Sequence, residues 1–223
     1  MLKKGVYTIA IVDSGIGGIS ILKQIIKKHV TGNFIYFADN QYMPYGNKTK
    51  EFIKQRIEDI IYYLKNEFKV NKIIIACNTA SSSISGLNLG DVEVLTFDKS
   101  KTYLTTLLTS FNLKGYNTIS DGELACKIEK YIFKPHKLDY IIKCCVNKYN
   151  LNDLNSFVLG CTHFELVENI FKKYCPNTKI YLNSTGVIDK IEYKQADELN
   201  ITIVLSQKNR AYAKKIIKLI NSN

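Results

Sequence analysis

The 223 residues of this chain suffice for one or two domains with a real hydrophobic core, and 46% hydrophobic and 23% charged residues are typical of a globular protein. It has no apolar run as long as a membrane span and no signal-peptide pattern at its N-terminus, which predicts a cytoplasmic protein without a membrane partner. The formal net charge of +11 raises the question of nucleic-acid binding, but nearly all basic residues are lysines, whereas base readout favours arginine, so a solvated basic surface is the favoured interpretation.

Cysteine usage argues against two further kinds of protein. Six cysteines in a chain of this length, without a secretion signal, do not indicate a disulfide framework. No Cys-x-x-Cys or His-x-x-x-His pair is present, so no metal site is predicted.

The first predicted strand covers residues 6–12 and ends at the glycine-rich turn 13–18, after which an apolar-periodic helix begins at Ile19. This turn lacks the spacing of a dinucleotide-binding loop and the lysine of a P-loop. It still offers free N–H groups to an anion such as a carboxylate, flanked by Asp13 and Ser14. Helix capping alone is an equally common role for these two side chains.

The chain then alternates between strands and helices up to residue 97. A strand over 34–38 is followed by a turn at 44–47 and a long amphipathic helix over 49–68. A strand over 73–75, a helix over 80–85 and a strand over 92–97 come next. This rhythm predicts an α/β fold, in which a parallel sheet is flanked by helices.

The second half of the chain is predicted with more helix. Helices are expected over 103–111, 123–133, 138–146, 164–174 and 210–220, and strands over 157–159, 180–182 and 201–205. Residues 112–121 are interpreted as a linker and 147–156 as a polar loop.

Two of these strands end in the same way. Each is a short branched or aromatic run followed by one small residue and then a cysteine, Cys77 in one and Cys161 in the other. Open α/β sheets bind ligands at the carboxyl ends of their strands, so the two thiols could enter one pocket from opposite sides. A pair of thiols, one ionised and one protonated, suits inversion of a carbon that bears a hydrogen. Inert buried cysteines are the alternative interpretation.

Four motifs together resemble the glutamate racemase family, of the cofactor-independent aspartate/glutamate racemase superfamily: the stretches 13–18, 44–49, 76–81 and 159–164. The resemblance implies two similar α/β lobes, each a mainly parallel sheet flanked by helices, with the active site in the cleft between them. The first lobe would comprise residues 1–91 plus 186–223 and the second 92–185. It also implies interconversion of L- and D-glutamate without cofactor or metal, a supply of D-glutamate for peptidoglycan, and a homodimer as a further expectation.

The resemblance also implies roles for individual residues. Cys77 matches the thiol that acts on the D-enantiomer, and Cys161 the thiol that acts on the L-enantiomer. Asp13 resembles the residue that assists the first thiol and His163 the residue that assists the second. Glu129 corresponds to a further assisting glutamate, by its distance from Cys161 along the chain alone. The groups that hold the substrate's carboxylates and amine would be Asp13, Ser14, Tyr45, Gly46, Asn78, Thr79, Thr162 and His163.

The chain also departs from the family pattern. The stretch between Ser85 and Val92 resembles a shortened form of a longer strand-and-helix unit, and Ser100 would then belong to an anion-binding loop. Glu165 occupies a position where a proline is usual. These departures leave three alternatives open: a racemase of aspartate or another amino acid, a non-catalytic amino-acid-binding paralogue, and a basic protein that binds nucleic acid.

Overall fold

The computed structural model describes residues 7–28, 31–188 and 198–222 of the chain. The strands in this part of the chain are β1 Thr8–Asp13, β2 Gly32–Ala38, β3 Lys72–Ile75, β4 Val92–Val94, β5 Thr102–Thr105, β6 Asn117–Ser120, β7 Ser156–Gly160, β8 Lys179–Leu182 and β9 Leu199–Leu205. The helices are α1 Ile19–Lys27, α2 Lys50–Phe68, α3 Asn78–Ser83, α4 Leu107–Asn112, α5 Leu124–Tyr131, α6 Pro135–Tyr149, α7 Thr162–Glu165, α8 Glu168–Tyr174, α9 Thr185–Ile188 and α10 Arg210–Ile220.

The strands form two parallel sheets. The first has the order β4-β3-β1-β2-β9 and the second the order β6-β5-β7-β8. Every strand pair in both sheets is parallel. We call the first sheet with α1, α2, α3, α9 and α10 the first lobe, and the second sheet with α4 to α8 the second lobe. The predicted α/β fold of two lobes with helix-flanked parallel sheets is confirmed.

The first sheet is buried on both faces, which explains its continuous apolar runs. Successive side chains of a strand point to opposite faces, so Ile9 and Ile11 of β1 pack against α1 and α10, whereas Ala10 and Val12 pack against α2. The 19-residue helix α2 is held at its start by Thr49, whose side chain accepts a hydrogen bond from the N–H of Phe52 at 3.2 Å.

The second lobe has a core of its own. Leu104 of β5 and Leu159 of β7 are fully buried beneath α5, α6 and α8. Phe157 and Phe171 pack edge to face with ring centroids 6.2 Å apart, which fixes α8 on the sheet. None of the helices among the described residues is long and apolar enough to cross a membrane.

Some predicted elements differ from the structure. The helix expected over 103–111 is instead strand β5 followed by α4, and the expected linker 112–121 contains β6. The helix expected over 164–174 is divided into α7 and α8. The second lobe was expected to begin at residue 92, but β4 pairs with β3 in the first sheet. The predicted start of the first strand, Val6, and residues 189–197 of the first lobe lie outside the described residues.

Candidate active site

The two cysteines lie at equivalent points of the two sheets. Cys77 follows β3 and begins α3, and Cys161 follows β7 and begins α7. In the first sheet, β3, which leads to Cys77, lies on one side of β1, and β2 lies on the other side. In the second sheet, β7, which leads to Cys161, and β6 lie on opposite sides of β5 in the same way. Such switch points are where open α/β sheets form a ligand crevice. Both thiols line one cavity of about 30 Å³, together with Ser14, Tyr45, Gly46, Asn78, Thr79, Thr106 and Thr162.

Asp13 lies at the end of β1, directly before the turn that leads to α1. Asp13 is 1% exposed, and its two carboxylate oxygens accept hydrogen bonds from the N–H of Gly15 at 2.9 Å and from the hydroxyl of Thr162 at 3.0 Å. The second bond crosses from one lobe to the other. Ser14 lies with its hydroxyl 3.9 Å from the sulfur of Cys77. Ser14 therefore lies beside the first thiol, whereas the carboxylate of Asp13 is held by Gly15 and Thr162.

Burial controls the protonation of the first-lobe groups. It raises the pKa of Cys77 to about 12, with a further increase from the charge of Asp13 and a partial offset from the N–H of Ala80. Burial also raises the pKa of Asp13 above its ordinary value, although His163 and the hydrogen bonds from Gly15 and Thr162 act in the opposite direction. Cys77 is consequently a protonated thiol at neutral pH.

His163 and Glu129 form a hydrogen-bonded pair at the cleft. The Nε2 atom of His163 lies 2.8 Å from Oε2 of Glu129, which also accepts a hydrogen bond from the N–H of Ile16 at 3.3 Å. The other carboxylate oxygen, Oε1, lies 2.5 Å from Nζ of Lys215. His163 lines the same cavity as Cys161. Although α5, α7 and α10 are far apart in sequence, they bring these groups together.

The charges of His163, Glu129 and Lys215 stabilise one another. Burial lowers the pKa of His163, but contacts with the Cys161 sulfur and the Glu129 carboxylate outweigh it and hold that pKa well above the ordinary value. Burial raises the pKa of Glu129, but the hydrogen bond and charge of His163, with those of Lys215, lower it to about 2. His163 is therefore an imidazolium at neutral pH.

Three hydroxyl groups form a triangle across the cleft. The Oγ1 atom of Thr79 in the first lobe lies 3.1 Å from that of Thr106 and 3.0 Å from that of Thr109, both in the second lobe. Thr106 and Thr109 are 2.9 Å apart. Beside them, Oδ1 of Asn78 accepts a hydrogen bond from Asn183 at 2.7 Å. Among the described residues the buried Nδ2 atom of Asn78 has no hydrogen-bond partner, and Asn78 lines the cavity.

Tyr45 and Gly46 also line the cavity. The hydroxyl of Tyr45 donates to Oδ2 of Asp39 at 2.6 Å, and Arg56 holds both oxygens of that carboxylate at 2.9 and 2.7 Å. The second-lobe residue Thr106 lies directly against Gly46.

The sequence prediction missed several residues of the site. Thr106 and Thr109 follow strand β5, and the same strand-end rule that identified Cys77 would have identified them had residues 103–105 been predicted as strand. Ser100, expected in an anion-binding loop, is instead exposed in the turn before β5, where it bonds to Asp98. Lys215 carried no sequence signal.

The other cysteines take no part in the cleft except Cys126, which is exposed at its edge. All six cysteines have free thiols. Within the described ranges, no group of three or more histidine, cysteine, aspartate or glutamate side chains is arranged to hold a metal ion.

Comparison with known sequences finds close relatives along most of the chain. Glutamate racemase 1 of Caldanaerobacter subterraneus subsp. tengcongensis is 31% identical over 196 residues, which cover 76% of this chain and 72% of the relative. The glutamate racemase of Buchnera aphidicola subsp. Acyrthosiphon pisum (strain APS) is 31% identical over 248 residues and 94% of both chains. No family model matches the sequence.

Solved structures share the fold. The glutamate racemase isoform RacE1 from Bacillus anthracis superimposes with a TM-score of 0.78 at 20% identity, over 97% of this chain and 95% of the other. The Escherichia coli glutamate racemase in complex with L-glutamate and an activator superimposes with a TM-score of 0.76 at 19% identity, over 95% and 94%.

Proposed function

Since this chain belongs to the glutamate racemase family, we propose that it interconverts L- and D-glutamate through Cys77 and Cys161 and so supplies D-glutamate for peptidoglycan. The observation that carries the proposal is the pair of thiols at equivalent strand ends on either side of one cavity. Removal of the α-proton from one face and its replacement from the other need an acid and a base on opposite sides of the carbon.

The proton on Cys77 fits the start of the reaction from L-glutamate. In the proposed reaction, Cys161 takes the α-proton as the thiolate of the pair, and Cys77 donates its thiol proton to the opposite face. The product is D-glutamate, with Cys161 protonated and Cys77 ionised. Starting from D-glutamate, the same two groups act in reverse. Exchange of protons with water returns the thiols to their starting states before the next molecule binds.

The carbanion-like transition state needs stabilisation beyond the two thiols, because the α-hydrogen of an amino acid is a very weak acid. Preorganised donors around the substrate carboxylate supply this stabilisation. The unpartnered Nδ2 of Asn78 is a buried donor of this type, and the hydroxyl of Thr79 is a second buried group beside the cavity. The ammonium group of the substrate would bind Asp13 at the end of β1 and Ser14 directly after it.

The test is replacement of each thiol in turn. We expect Cys77→Ala and Cys161→Ala each to lower kcat for glutamate racemisation by about 10²–10⁴-fold or more, because each removes one of the two proton-transfer groups. Cys144→Ala, which changes an exposed cysteine, is the matched control and should leave kcat unchanged. Circular dichroism follows the interconversion of enantiomers in both directions.

Incorporation of deuterium at Cα in D₂O separates this proposal from its alternatives. A panel that includes glutamate, aspartate and other amino acids should show exchange with glutamate foremost. If either single alanine variant racemises glutamate at the parent rate, the two-thiol mechanism is wrong. Tight glutamate binding by the parent protein without deuterium exchange would indicate a binding protein instead.

A further inference from the structure

Lys215 of the C-terminal helix α10 reaches across the cleft edge to the second lobe. Its Nζ atom lies 2.5 Å from Oε1 of Glu129 and 2.5 Å from the backbone carbonyl oxygen of the same residue. The two side chains are 22% and 13% exposed, so water screens the pair only partly. A two-point contact of this kind fixes the position of Glu129 as well as compensating its charge.

The contact divides the oxygens of Glu129 between two partners. Oε1 faces Lys215, whereas Oε2 faces His163 and the N–H of Ile16. His163 in turn lines the same cavity as Cys161. The other three side chains form a row of alternating charge, from the His163 imidazolium through the Glu129 carboxylate to the Lys215 ammonium.

We propose that Lys215 is a positioning residue of the active site, which holds the Glu129 carboxylate and limits the negative charge that this carboxylate exerts on His163. The inference rests on the proposed function, because it assigns Lys215 a role in setting the charge state of the His163–Cys161 pair. A bare carboxylate beside His163 would hold the imidazolium proton more tightly, and a cation on the far oxygen moderates that effect.

Other groups near the pair do not replace Lys215. Asp13 from the turn after β1 is a buried acid, Cys126 lies on α5, and Tyr36 and Tyr212 approach from β2 and α10. These four side chains are neutral or anionic in their ordinary titrations. Lys215 is the cation that contacts Glu129 from outside the thiol–imidazole pair.

The variant that tests the proposal is Lys215→Met, which keeps the length of the side chain and removes its charge. Removing a cation from the far oxygen strengthens the field of Glu129 at His163, so we expect the pKa of His163 to rise by about one unit. Glu129→Gln should have the opposite effect and lower it. Lys215→Arg should restore the parent value, because it returns the cation to the same place.

The measurement is an NMR titration of the imidazole of His163 in the free protein, with its signal assigned through the His163→Gln variant. Lys214→Met, which removes an exposed lysine next to it on the same helix, is the matched control. The pH profile of kcat/KM gives a second readout, in which the limb governed by His163 should move to higher pH in Lys215→Met and return in Lys215→Arg. If Lys215→Met only disturbed packing, kcat/KM would fall but the pH of this limb would not change.

The possible outcomes distinguish a failure of the role proposed for Lys215 from a failure of the proposed function. A His163 pKa in Lys215→Met that is unchanged or lowered, in a parent protein that racemises glutamate, overturns the role of Lys215 and leaves the proposed function intact. A parent protein that exchanges no α-proton overturns the proposed function, whatever the titration shows. An equal shift in Lys214→Met would mean that the net charge of helix α10 acts instead of one contact, and would also overturn the inference.

Discussion

Gly17 shows how closely the two lobes approach at the level of single atoms. A Cβ atom at this position would lie 2.3 Å from Oγ1 of Thr162 and 2.8 Å from Nδ1 of His163. Both side chains are buried and hydrogen-bonded, so neither can move aside freely. The absence of a side chain at residue 17 therefore permits the contact that places His163 beside Cys161.

Gly17→Ala should consequently lower kcat by about 10²-fold, because a displacement of about 1 Å in a catalytic group has an effect of this size. The reason is displacement of Thr162 and His163, with the thiols themselves untouched. Gly186→Ala is the matched control, since a Cβ there meets no atom within 4 Å. Steady-state kinetics of both variants test the prediction, and a Gly17→Ala protein with parent kcat would contradict it.

Among the elements, helix α7 connects the lobes through Glu165 as well as through Thr162. This buried carboxylate accepts hydrogen bonds from the hydroxyl of Ser20 on α1 at 2.9 Å and from the N–H and hydroxyl of Ser184 at 3.0 and 2.7 Å. Burial raises its pKa from 4.5 to about 7, although these hydrogen bonds act in the opposite direction. The helix contact thus contains an acid that titrates near neutral pH.

The consequence is a loss of stability as the pH rises. The folded protein retains the proton of Glu165 up to about pH 7 while the unfolded chain releases it near 4.5, so unfolding becomes more favourable across this window. The effect amounts to about 3 kcal/mol once both states are ionised. Glu165→Gln should flatten the decline of Tm between pH 5 and 8, whereas Glu168→Gln, at the half-buried start of α8, should not. Equal slopes in the parent and Glu165→Gln would refute the assignment.

The elements that were predicted well from the sequence are those whose apolar residues recur with a clear helical or strand spacing. Helix α10 and strands β1, β2 and β7 have long apolar patterns, and the position of Cys77 and Cys161 at strand ends follows from local order alone. Strand β5 was missed because it has only four residues and because Leu104, Leu107 and Phe111 also fit a helical spacing. Strand β6 is polar and lies at an edge.

Contacts between residues that lie far apart along the chain were also not predicted from the sequence. Lys215 and Glu129 are 86 positions apart, and no local pattern connects them. The pairing of Glu165 with Ser20 and Ser184 is of the same kind. Such contacts depend on how the lobes dock, which periodicity does not specify.

At the scale of the whole molecule, the cavity between the thiols has a volume of about 30 Å³ and holds about one water molecule. An amino acid cannot enter a space of this size, so turnover requires the lobes to move apart and close again. The contact between Gly46 and Thr106 lies on the boundary that must open, because a Cβ at residue 46 would be 3.4 Å from that of Thr106.

A disulfide across this contact should block the motion. The distance is close to the Cβ–Cβ range of about 3.5–4.5 Å found in disulfides, so the double variant Gly46→Cys/Thr106→Cys should cross-link on oxidation. We expect the oxidised protein to lose turnover and to regain it on reduction. The two single variants, oxidised in the same way, control for damage to Cys77 and Cys161. A cross-linked protein, verified by mass spectrometry, that turns over like its reduced form would show that opening at this boundary is unnecessary.

The position of β9 at the edge of the first sheet has a consequence for biosynthesis. Strand β9 pairs with β2 over its whole length, yet some 160 residues separate the two in sequence. While the ribosome is still translating the second lobe, β2 has an open row of backbone donors and acceptors, which is a template for association with other nascent chains. Premature termination before Leu199 should therefore yield an insoluble product, and a chaperone that shields β2 during translation should raise the yield of folded protein.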